Sequence, residues 1–371
     1  QDPNFWNKSR SQTVNAKYTI SLVDDWVQSV KYSFFHDVLL SGDPPDPGTR
    51  QTESLNKFDS DRHTFEYQSD LHLADFDVLT LGYEFEHAAA NAKPRFDRLT
   101  RNHGWFAQNE LTLWEIWTIV GGIRLDHHEL FGTEASPLVS SGLWIAKTLT
   151  KFKGSFGRGF KAPSFNQLFF PNFGNPNVQP EKNWGWDAGF EQYYWKQKGM
   201  FSAAYFHNSI EDLISFRRVG TTAGGGAINQ TFNIGRATTQ GIELENKITP
   251  WKPLTFYVNY TFTSALDEDT QKRLLRRPWH QGKIGISYDF WRFHVTSDWI
   301  FVGNTEETFG FPAIRVKNDG YTRLDLALFF DLTEYAQIFG RVENATNDHY
   351  YEVLGFDNPS TRFVVGTKAK F

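Results

Sequence analysis

The chain has 371 residues, a formal net charge of −5 and no cysteine, so neither disulfide bonds nor thiolate metal sites are available to it. The acidic balance gives no reason to expect a nucleic-acid partner. Aromatic residues make up 17% of the chain, yet no apolar run approaches the roughly 18 residues that a membrane helix needs. Two classes of protein fit these values: an aromatic-rich soluble β protein, and a membrane β-barrel, whose alternating strands escape hydropathy scans.

Short turns divide the chain, each with strand-like runs on both sides. They are predicted near residues 24–25, 74–75, 115, 148–150, 196–199, 250–253, 291–292 and 333–334. Longer polar segments rich in Gly, Pro and Asn lie between them, at 41–61, 88–102, 163–182, 217–230, 265–277 and 304–320. Short turns at one end and long loops at the other are typical of an outer-membrane barrel, whereas the two ends of a soluble sandwich are more alike.

The predicted strands alternate apolar and polar residues. Leu254, Phe256, Val258, Tyr260 and Phe262, for example, alternate with polar or smaller neighbours. The polar faces of most strands carry charges, which suits a water-filled lumen better than a solid core. The sequence therefore predicts an all-β fold, an antiparallel transmembrane β-barrel with short periplasmic turns and long extracellular loops.

Six tryptophans lie at or beside the short turns, where indole rings would sit at the headgroup level of a membrane. We interpret them as an inner-leaflet girdle; the alternative is a set of core tryptophans in a soluble protein. They are Trp26, Trp114, Trp117, Trp195, Trp251 and Trp291.

The last twelve residues, 360–371, form the predicted barrel-closing strand. One face of this strand carries Phe363, Val365 and the terminal Phe371, and the other carries Arg362 and Lys368. Aqueous globular proteins rarely end on such a strand because termini fray, whereas the final strand of a barrel has lipid on one face and lumen on the other.

The number of predicted strands determines whether the first and last strands can close a barrel. Eight turns joining two strands each, plus the terminal strand, make about 17 strands. The first strand, near 11–22, and the last one both run toward the short turns, so joining them directly would need a parallel seam. Bacterial single-chain barrels close antiparallel with even strand numbers. The pattern therefore predicts that an odd number of strands precedes this chain and that residues 1–371 are part of a larger barrel.

Five motifs, in order, resemble the TonB-dependent outer-membrane receptors, which import scarce nutrients through 22-stranded barrels. They are GRGFKAPS with NPNVQPEK at 157–164 and 175–182, AYFHNSIEDLI at 204–214, NIGRA with GIELE at 233–237 and 241–245, RPWH at 277–280, and RVENATNDHYY at 341–351. In that family's register the chain would supply the sixth to the twenty-second strand, as the C-terminal part of the barrel domain. The family's N-terminal plug has no match here.

The resemblance implies a location in the bacterial outer membrane and a set of partners. These are outer-membrane lipid, a chain or segment carrying the plug and first strands, the TonB–ExbB–ExbD energy-coupling complex, and a small-molecule nutrient. LLRRPWHQG at 274–282 and NATNDHYYEVLG at 344–355 resemble the cobalamin (vitamin B12) transporter branch. Cobalamin is therefore the expected cargo. A ferric siderophore, or a structural barrel without transport, remains the alternative.

Aromatic residues in two of the long segments are the candidate ligand contacts, because exposed rings at a cavity mouth can stack on a bulky amphipathic ligand. The alternative is loop packing or an outer-leaflet girdle. The candidates are Phe169, Phe170, Phe173 and Asn175 in 163–182, and Phe309 and Phe311 in 304–320.

No catalytic or metal-binding set is predicted. Adjacent strand residues such as His127 and His128 point to opposite faces and chelate poorly. Asp43 and Asp46 could contribute to a calcium site in an extracellular loop, although two carboxylates with proline between them more often form a solvated turn. No nucleophile, base and orienting residue stand together. The sequence therefore predicts neither an enzyme nor a resident cofactor.

Overall fold

The computed structural model describes residues 4–45, 54–92, 95–171, 173–221, 227–309 and 314–370. These residues form twenty β-strands and one short helix. Eighteen of the strands belong to one sheet, and the other two form a separate hairpin. Within the described ranges, no helix is long and apolar enough to cross a membrane.

The chain divides into two compact units. The first comprises Gln1–Ser141, Ser155–Gly185 and Ile210–Arg236, and the second comprises Gly142–Gly154, Trp186–Ser209 and Ala237–Phe371. Strands wholly in the first unit are β1 (Trp6–Val23), β2 (Trp26–Asp43), β3 (Ser54–Ala74), β4 (Asp77–Ala92), β5 (Phe96–Leu113) and β6 (Trp117–His128).

Five strands contribute residues to both units, and helix α1 (Phe165–Phe169) belongs to the first. The five are β7 (Gly132–Ile145), β8 (Thr150–Lys161), β9 (Glu181–Tyr194), β10 (Gly199–Thr221) and β11 (Ala227–Trp251). The second unit also holds β12 (Leu254–Asp267), β13 (Lys272–Arg273), β14 (His280–Phe290), β15 (Phe293–Val302), β16 (Thr305–Phe309), β17 (Ile314–Asn318), β18 (Tyr321–Asp331), β19 (Ala336–Glu343) and β20 (Arg362–Ala369).

In the first unit, β1 to β6 pair antiparallel in chain order. The registers of β2–β3, β4–β5 and β5–β6 run without a slip, and that of β3–β4 slips only beside its turn. One face carries exposed apolar side chains such as Phe65, Leu81 and Trp105. The opposite face carries ion pairs, including Arg124 Nη2 to Glu84 Oε1 at 2.7 Å. Side chains alternate at period two, so the sheet has one apolar and one charged face.

The second unit repeats this division. Strands β12, β14, β15, β18, β19 and β20 pair antiparallel in that order. Val258, Ile284 and Trp299 lie opposite one another on the exposed apolar face. On the other face, Lys283 Nζ lies 2.9 Å from Asp298 Oδ2. The alternation that predicted a barrel strand is therefore confirmed in both units.

All eight predicted short turns lie between consecutive strands. The expected strand count is also confirmed. Of the twenty strands in the described ranges, β13 has two residues and β16 and β17 have five each, which leaves seventeen long strands.

The expectation of a long loop at 88–102 is wrong. Strands β4 and β5 continue to Ala92 and Phe96, which pair with each other. Ala90, Ala92 and Phe96 are buried, with Phe165, Phe169 and Phe170 packed against them. Packing against the 163–182 segment therefore extends this hairpin, an effect that local composition does not reveal.

The terminal strand lies where the sequence places it. Strand β20 pairs with β19 from Glu343–Arg362 to Ala336–Ala369. Phe363 is 74% exposed and Val365 is 85% exposed, as expected for side chains that face lipid. Phe371 lies outside the described residues. The role of Phe363, Val365 and Phe371 in closing a barrel stays a prediction.

Candidate functional site

The segment 163–182 begins where the preceding strand ends and starts with a short helix. The Ser164 hydroxyl accepts a hydrogen bond from the backbone N–H of Gln167, and the Gln167 side-chain oxygen accepts one from the backbone N–H of Ser164. This reciprocal capping box starts α1 after Pro163. The helix then buries Leu168 and directs the chain toward the outer ends of β4 and β5.

Two of the predicted ligand contacts, Phe169 and Phe170, lie at the C-terminal end of this helix. Both pack against the buried cluster of Ala90, Ala92 and Phe96. The guanidinium of Arg98 lies 5.1 Å from the centre of the Phe169 ring, and that of Arg95 lies 5.1 Å from the centre of the Phe170 ring. Both rings are therefore held in place from two sides, and each keeps part of its surface exposed.

Phe173 and Asn175 lie on the same segment but contact a different strand. The Phe173 carbonyl accepts hydrogen bonds from the backbone N–H and the hydroxyl of Thr231, both at 2.8 Å. Asn175 Nδ2 donates to the Thr231 carbonyl at 3.2 Å. Thr231 is only 1% exposed, so these bonds tie the segment to the start of β11 in a dry environment.

Two cavities open beside this segment. One has a volume of about 450 Å³ and lies between Phe165, Leu168 and the charged strand face at Arg62, Arg124 and Asp126. Arg124 is paired with Asp126 at 2.8 Å, and Asp126 also accepts a hydrogen bond from the side chain of Asn102. The other cavity, of about 400 Å³, is bordered by Phe58, Arg95, Asn166 and Phe170. Apolar rings with a few fixed polar groups are what a small-molecule pocket needs.

A second charged cluster anchors the outer ends of β7, β8 and β9. Glu134 accepts from Arg158 Nη2 and from Lys182 Nζ, both at 2.7 Å. Glu181 is 3.1 Å from Lys161 Nζ and accepts a hydrogen bond from the backbone N–H of Ile214. Because each carboxylate has two partners, this cluster holds the strand ends that carry 163–182, and both of its carboxylates are paired with cations.

In the second unit, the 304–320 segment forms the hairpin of β16 and β17 rather than an irregular loop. Phe309 is the last residue of β16 and is 60% exposed, and Phe311 lies outside the described residues. At the base, Glu307 is only 2% exposed and is paired with Arg276 Nε at 2.8 Å. Asn318 Nδ2 donates to the carbonyl of Tyr351 at 2.7 Å. These contacts fix the hairpin, and the Phe309 side chain stays exposed.

A basic cavity of about 540 Å³ lies beside this hairpin. Four cationic side chains line it, with one carboxylate, Glu306, which is bonded to Arg315. The four are Lys272, Arg273, Arg315 and Lys317. The local excess of positive charge favours an anionic ligand.

A larger groove of about 680 Å³ does not belong to this site. It is lined by Val258, Gly282, Ile284 and Gly303 among others, and the first three lie on the exposed apolar face of β12 and β14. This groove is a depression in the apolar face at positions where glycine has no side chain.

The structure therefore sorts the predicted residues into three groups. It brings Phe169 and Phe170 together, ties Phe173 and Asn175 to Thr231, and places Phe309 on a separate hairpin. Sequence reasoning missed α1 and the basic cavity. The Ser164–Gln167 spacing was a readable signal for the helix. The cavity had no comparable signal, because its cations come from strands that meet only in the folded chain. Asp43 ends β2, and Asp46 lies outside the described residues, so a calcium loop there gains no support.

Comparison with known proteins gives a consistent picture. The family model described as "TonB dependent receptor-like, beta-barrel" matches residues 1–345. The vitamin B12 transporter BtuB of Photobacterium profundum is 28% identical over 237 residues, which is 63% of this chain and 37% of that protein. The chain thus spans little more than a third of the length of this relative.

Solved structures share the architecture. The copper transporter OprC superposes with a TM-score of 0.82 at 16% identity, over 97% of this chain and 65% of that one. A mutant of the ferric enterobactin receptor PfeA from Pseudomonas aeruginosa superposes with a TM-score of 0.74 at 14% identity, over 98% of this chain and 70% of that one. At such identities the likeness concerns the fold alone.

Proposed function

The chain belongs to the TonB-dependent receptor β-barrel family of the outer membrane, and from that premise we propose that it is part of an importer of cobalamin driven by TonB. The observation that supports cobalamin as the cargo is the 28% identity to a vitamin B12 transporter over 237 residues. Members of the family are transport receptors rather than enzymes.

The site geometry supports a bulky ligand with both apolar and polar surface. Phe170 presents a partly exposed ring to the cavity of about 400 Å³, and Phe165 borders the one of about 450 Å³. Phe169 keeps part of its ring exposed next to Phe170. Arg95 and Asn166 supply polar groups next to Phe170. Rings that are already held by packing lose little freedom on binding, so they can contribute affinity at a small entropic cost. Phe173, Asn175, Phe309 and Phe311 complete the proposed contact set.

We propose further that residues 1–371 are the C-terminal part of the barrel, and that a polypeptide outside this sequence supplies the plug and first strands. The described residues contain seventeen long strands, which is an odd number, whereas bacterial single-chain barrels have an even number of strands. The solved receptors are also longer, since this chain covers 65% of one and 70% of another. The plug portion would carry the contact with TonB.

A ferric siderophore is the second candidate cargo. The basic cavity at Lys272, Arg273, Arg315 and Lys317 favours it, because an anionic ferric complex would be attracted to these side chains.

Calorimetric titration of the full-length receptor distinguishes the two cargoes. Cyanocobalamin should bind saturably and a ferric catecholate siderophore should not. Saturable binding of the ferric complex with no heat from cyanocobalamin would overturn the cobalamin assignment. A matched variant, Arg315→Ala, should leave cyanocobalamin affinity unchanged under the first proposal and weaken the ferric complex under the second.

A further inference from the structure

A row of histidines crosses the apolar face of the first unit. His63 pairs directly with His87, and His103 pairs directly with His127. His36 lies opposite Asp61 on β3. Asp61 is two residues from His63, so His36 and His63 lie on the same face of the sheet. Each of β2 to β6 therefore carries one histidine of this row, beside exposed rings such as Phe65 and Trp105.

The row lies at a constant height. Each of the five histidines is ten or eleven residues from the short-turn end of its strand. Ten residues of a strand tilted as in outer-membrane barrels rise about 25 Å, which is the height of the apolar band. The imidazoles thus lie at the outer edge of that band, where headgroups begin.

Three of these histidines have ordinary hydroxyl partners. His63 Nδ1 lies 2.8 Å from the Tyr32 hydroxyl, His103 Nδ1 lies 2.8 Å from that of Tyr83, and His127 Nδ1 lies 2.9 Å from that of Thr133. His36 differs from all of them, because its Nδ1 faces two carboxylates. Asp61 Oδ1 is 2.7 Å away and Asp59 Oδ1 is 3.6 Å away.

The three side chains meet the geometric requirement for one ion. A nitrogen and two carboxylate oxygens of His36, Asp59 and Asp61 all lie within 4.8 Å of one another. Zn²⁺ bonds of about 2.0–2.2 Å to nitrogen and oxygen in a tetrahedral site place ligand atoms about 3.3–3.6 Å apart. The distance from His36 Nδ1 to Asp59 Oδ1 is within that range and the distance to Asp61 Oδ1 is shorter, so a small side-chain rotation would be enough.

Neighbouring groups orient these ligands. Lys57 Nζ binds Asp59 Oδ2 at 2.7 Å and so leaves Oδ1 directed at His36. The Phe34 ring is nearly parallel to the imidazole of His36, with an interplanar angle of 10° and centres 6.4 Å apart. The ligands also stand on β2 and β3, whose register is continuous across this point. Outer contacts that fix ligand orientation are typical of metal sites.

We propose that His36, Asp59 and Asp61 form a binding site for a divalent transition-metal ion, Zn²⁺ in the first place, on the lipid-facing side of the barrel at the outer headgroup boundary. One imidazole nitrogen with two carboxylate oxygens suits Zn²⁺ better than Ca²⁺, which prefers oxygen ligands alone. Three protein ligands leave a fourth position open to an exogenous oxygen. A bound ion would cross-link the outer ends of β2 and β3. The site faces away from the lumen, so it is separate from the proposed cargo path.

The test is a Zn²⁺ titration of the full-length protein in detergent, purified without a polyhistidine tag and freed of metal by a chelator. We expect one saturable Zn²⁺ equivalent that Asp59→Asn, Asp61→Asn and His36→Asn each weaken about tenfold or more. Ca²⁺ should compete poorly. His87→Asn is the matched control, since it removes a histidine of the same row that lies on β4. This variant should bind Zn²⁺ as the wild type does.

Two results would overturn the site: Zn²⁺ affinity and stoichiometry that are the same in the three variants as in the wild type, or an equal loss in His87→Asn. Heat-modifiable migration in gels, which reports an intact barrel, shows that each variant is folded. Cobalamin binding serves as a second readout, and it should be unchanged in all four variants.

Discussion

At the residue scale, Phe170 combines two roles that a substitution can separate. Its ring packs against the cluster of Ala90, Ala92 and Phe96 and also borders a cavity. Val178, later in the same segment, is 1% exposed and borders neither of the two cavities, so it has only a packing role. Comparing the two residues distinguishes ligand contact from loop packing.

We predict that Phe170→Ala weakens cyanocobalamin binding about fivefold to tenfold, because a stacked ring contributes about 1 kcal/mol beyond the area that it buries. Val178→Ala should lower the thermal stability of the segment more and change the affinity less. Calorimetric affinities and unfolding midpoints of both variants check this. Equal losses of affinity would mean that Phe170 acts only through packing.

Glu307 gives a second prediction at this scale. The carboxylate is almost fully buried and depends on Arg276. Arg276→Ala should destabilise the β16–β17 hairpin locally by about 1–3 kcal/mol, the cost of leaving a buried acceptor without its charged partner. Amide hydrogen exchange of 305–309 and 314–318 measures this.

Lys317→Ala is the control on the same hairpin. Lys317 and Asp319 form an exposed pair at 3.0 Å, and such pairs contribute between 0 and about 1 kcal/mol. Exchange rates that change as much in this variant as in Arg276→Ala would contradict the role given to the buried carboxylate.

At the scale of elements, the alternation of side chains along β20 determines how strongly an introduced charge destabilises the barrel. Val365 lies on the exposed apolar face, and Val364 lies on the other face and is half-buried. Only the first of these two side chains is in contact with lipid in an outer-membrane barrel.

We predict that Val365→Lys destabilises the barrel by about 2–4 kcal/mol, since a lysine on the lipid face near the middle of the membrane must be desolvated. Val364→Lys should be much milder because its side chain points away from lipid. The yield of heat-modifiable barrel in the outer membrane measures both. A larger loss in Val364→Lys would mean that the faces are assigned the wrong way round.

Elements also differ in how far the sequence specifies them. Strands and short turns were predictable because period-two alternation and turn residues are local signals, and 251–254 illustrates both with Trp251 paired to Leu254. The continuation of β4 and β5 to Ala92 and Phe96 was not predictable, because it depends on packing by a segment about seventy residues later. The His36 site was missed for the same reason, since its ligands come from two strands and meet only through their register.

At the scale of the whole molecule, the barrel family and the proposed cargo rest on different comparisons. The family assignment rests on a match over residues 1–345. The proposal of cobalamin as the cargo rests on one relative, of which this chain covers 37%. The apolar and charged faces suit a sheet that spans a membrane, and the packed aromatic segment is where we propose that a bulky ligand binds. The sequence identifies 163–182 as a candidate segment but not its contacts with Arg95, Arg98 and Thr231, because these residues meet it only in the folded chain.

Uptake of labelled cyanocobalamin by cells that carry the full-length receptor tests the central claim most directly. Cells with TonB should accumulate the label, and otherwise identical cells without TonB should only bind it at the surface. Accumulation that does not depend on TonB would contradict the account, as would the absence of both binding and accumulation in cells where the folded receptor is present in the outer membrane.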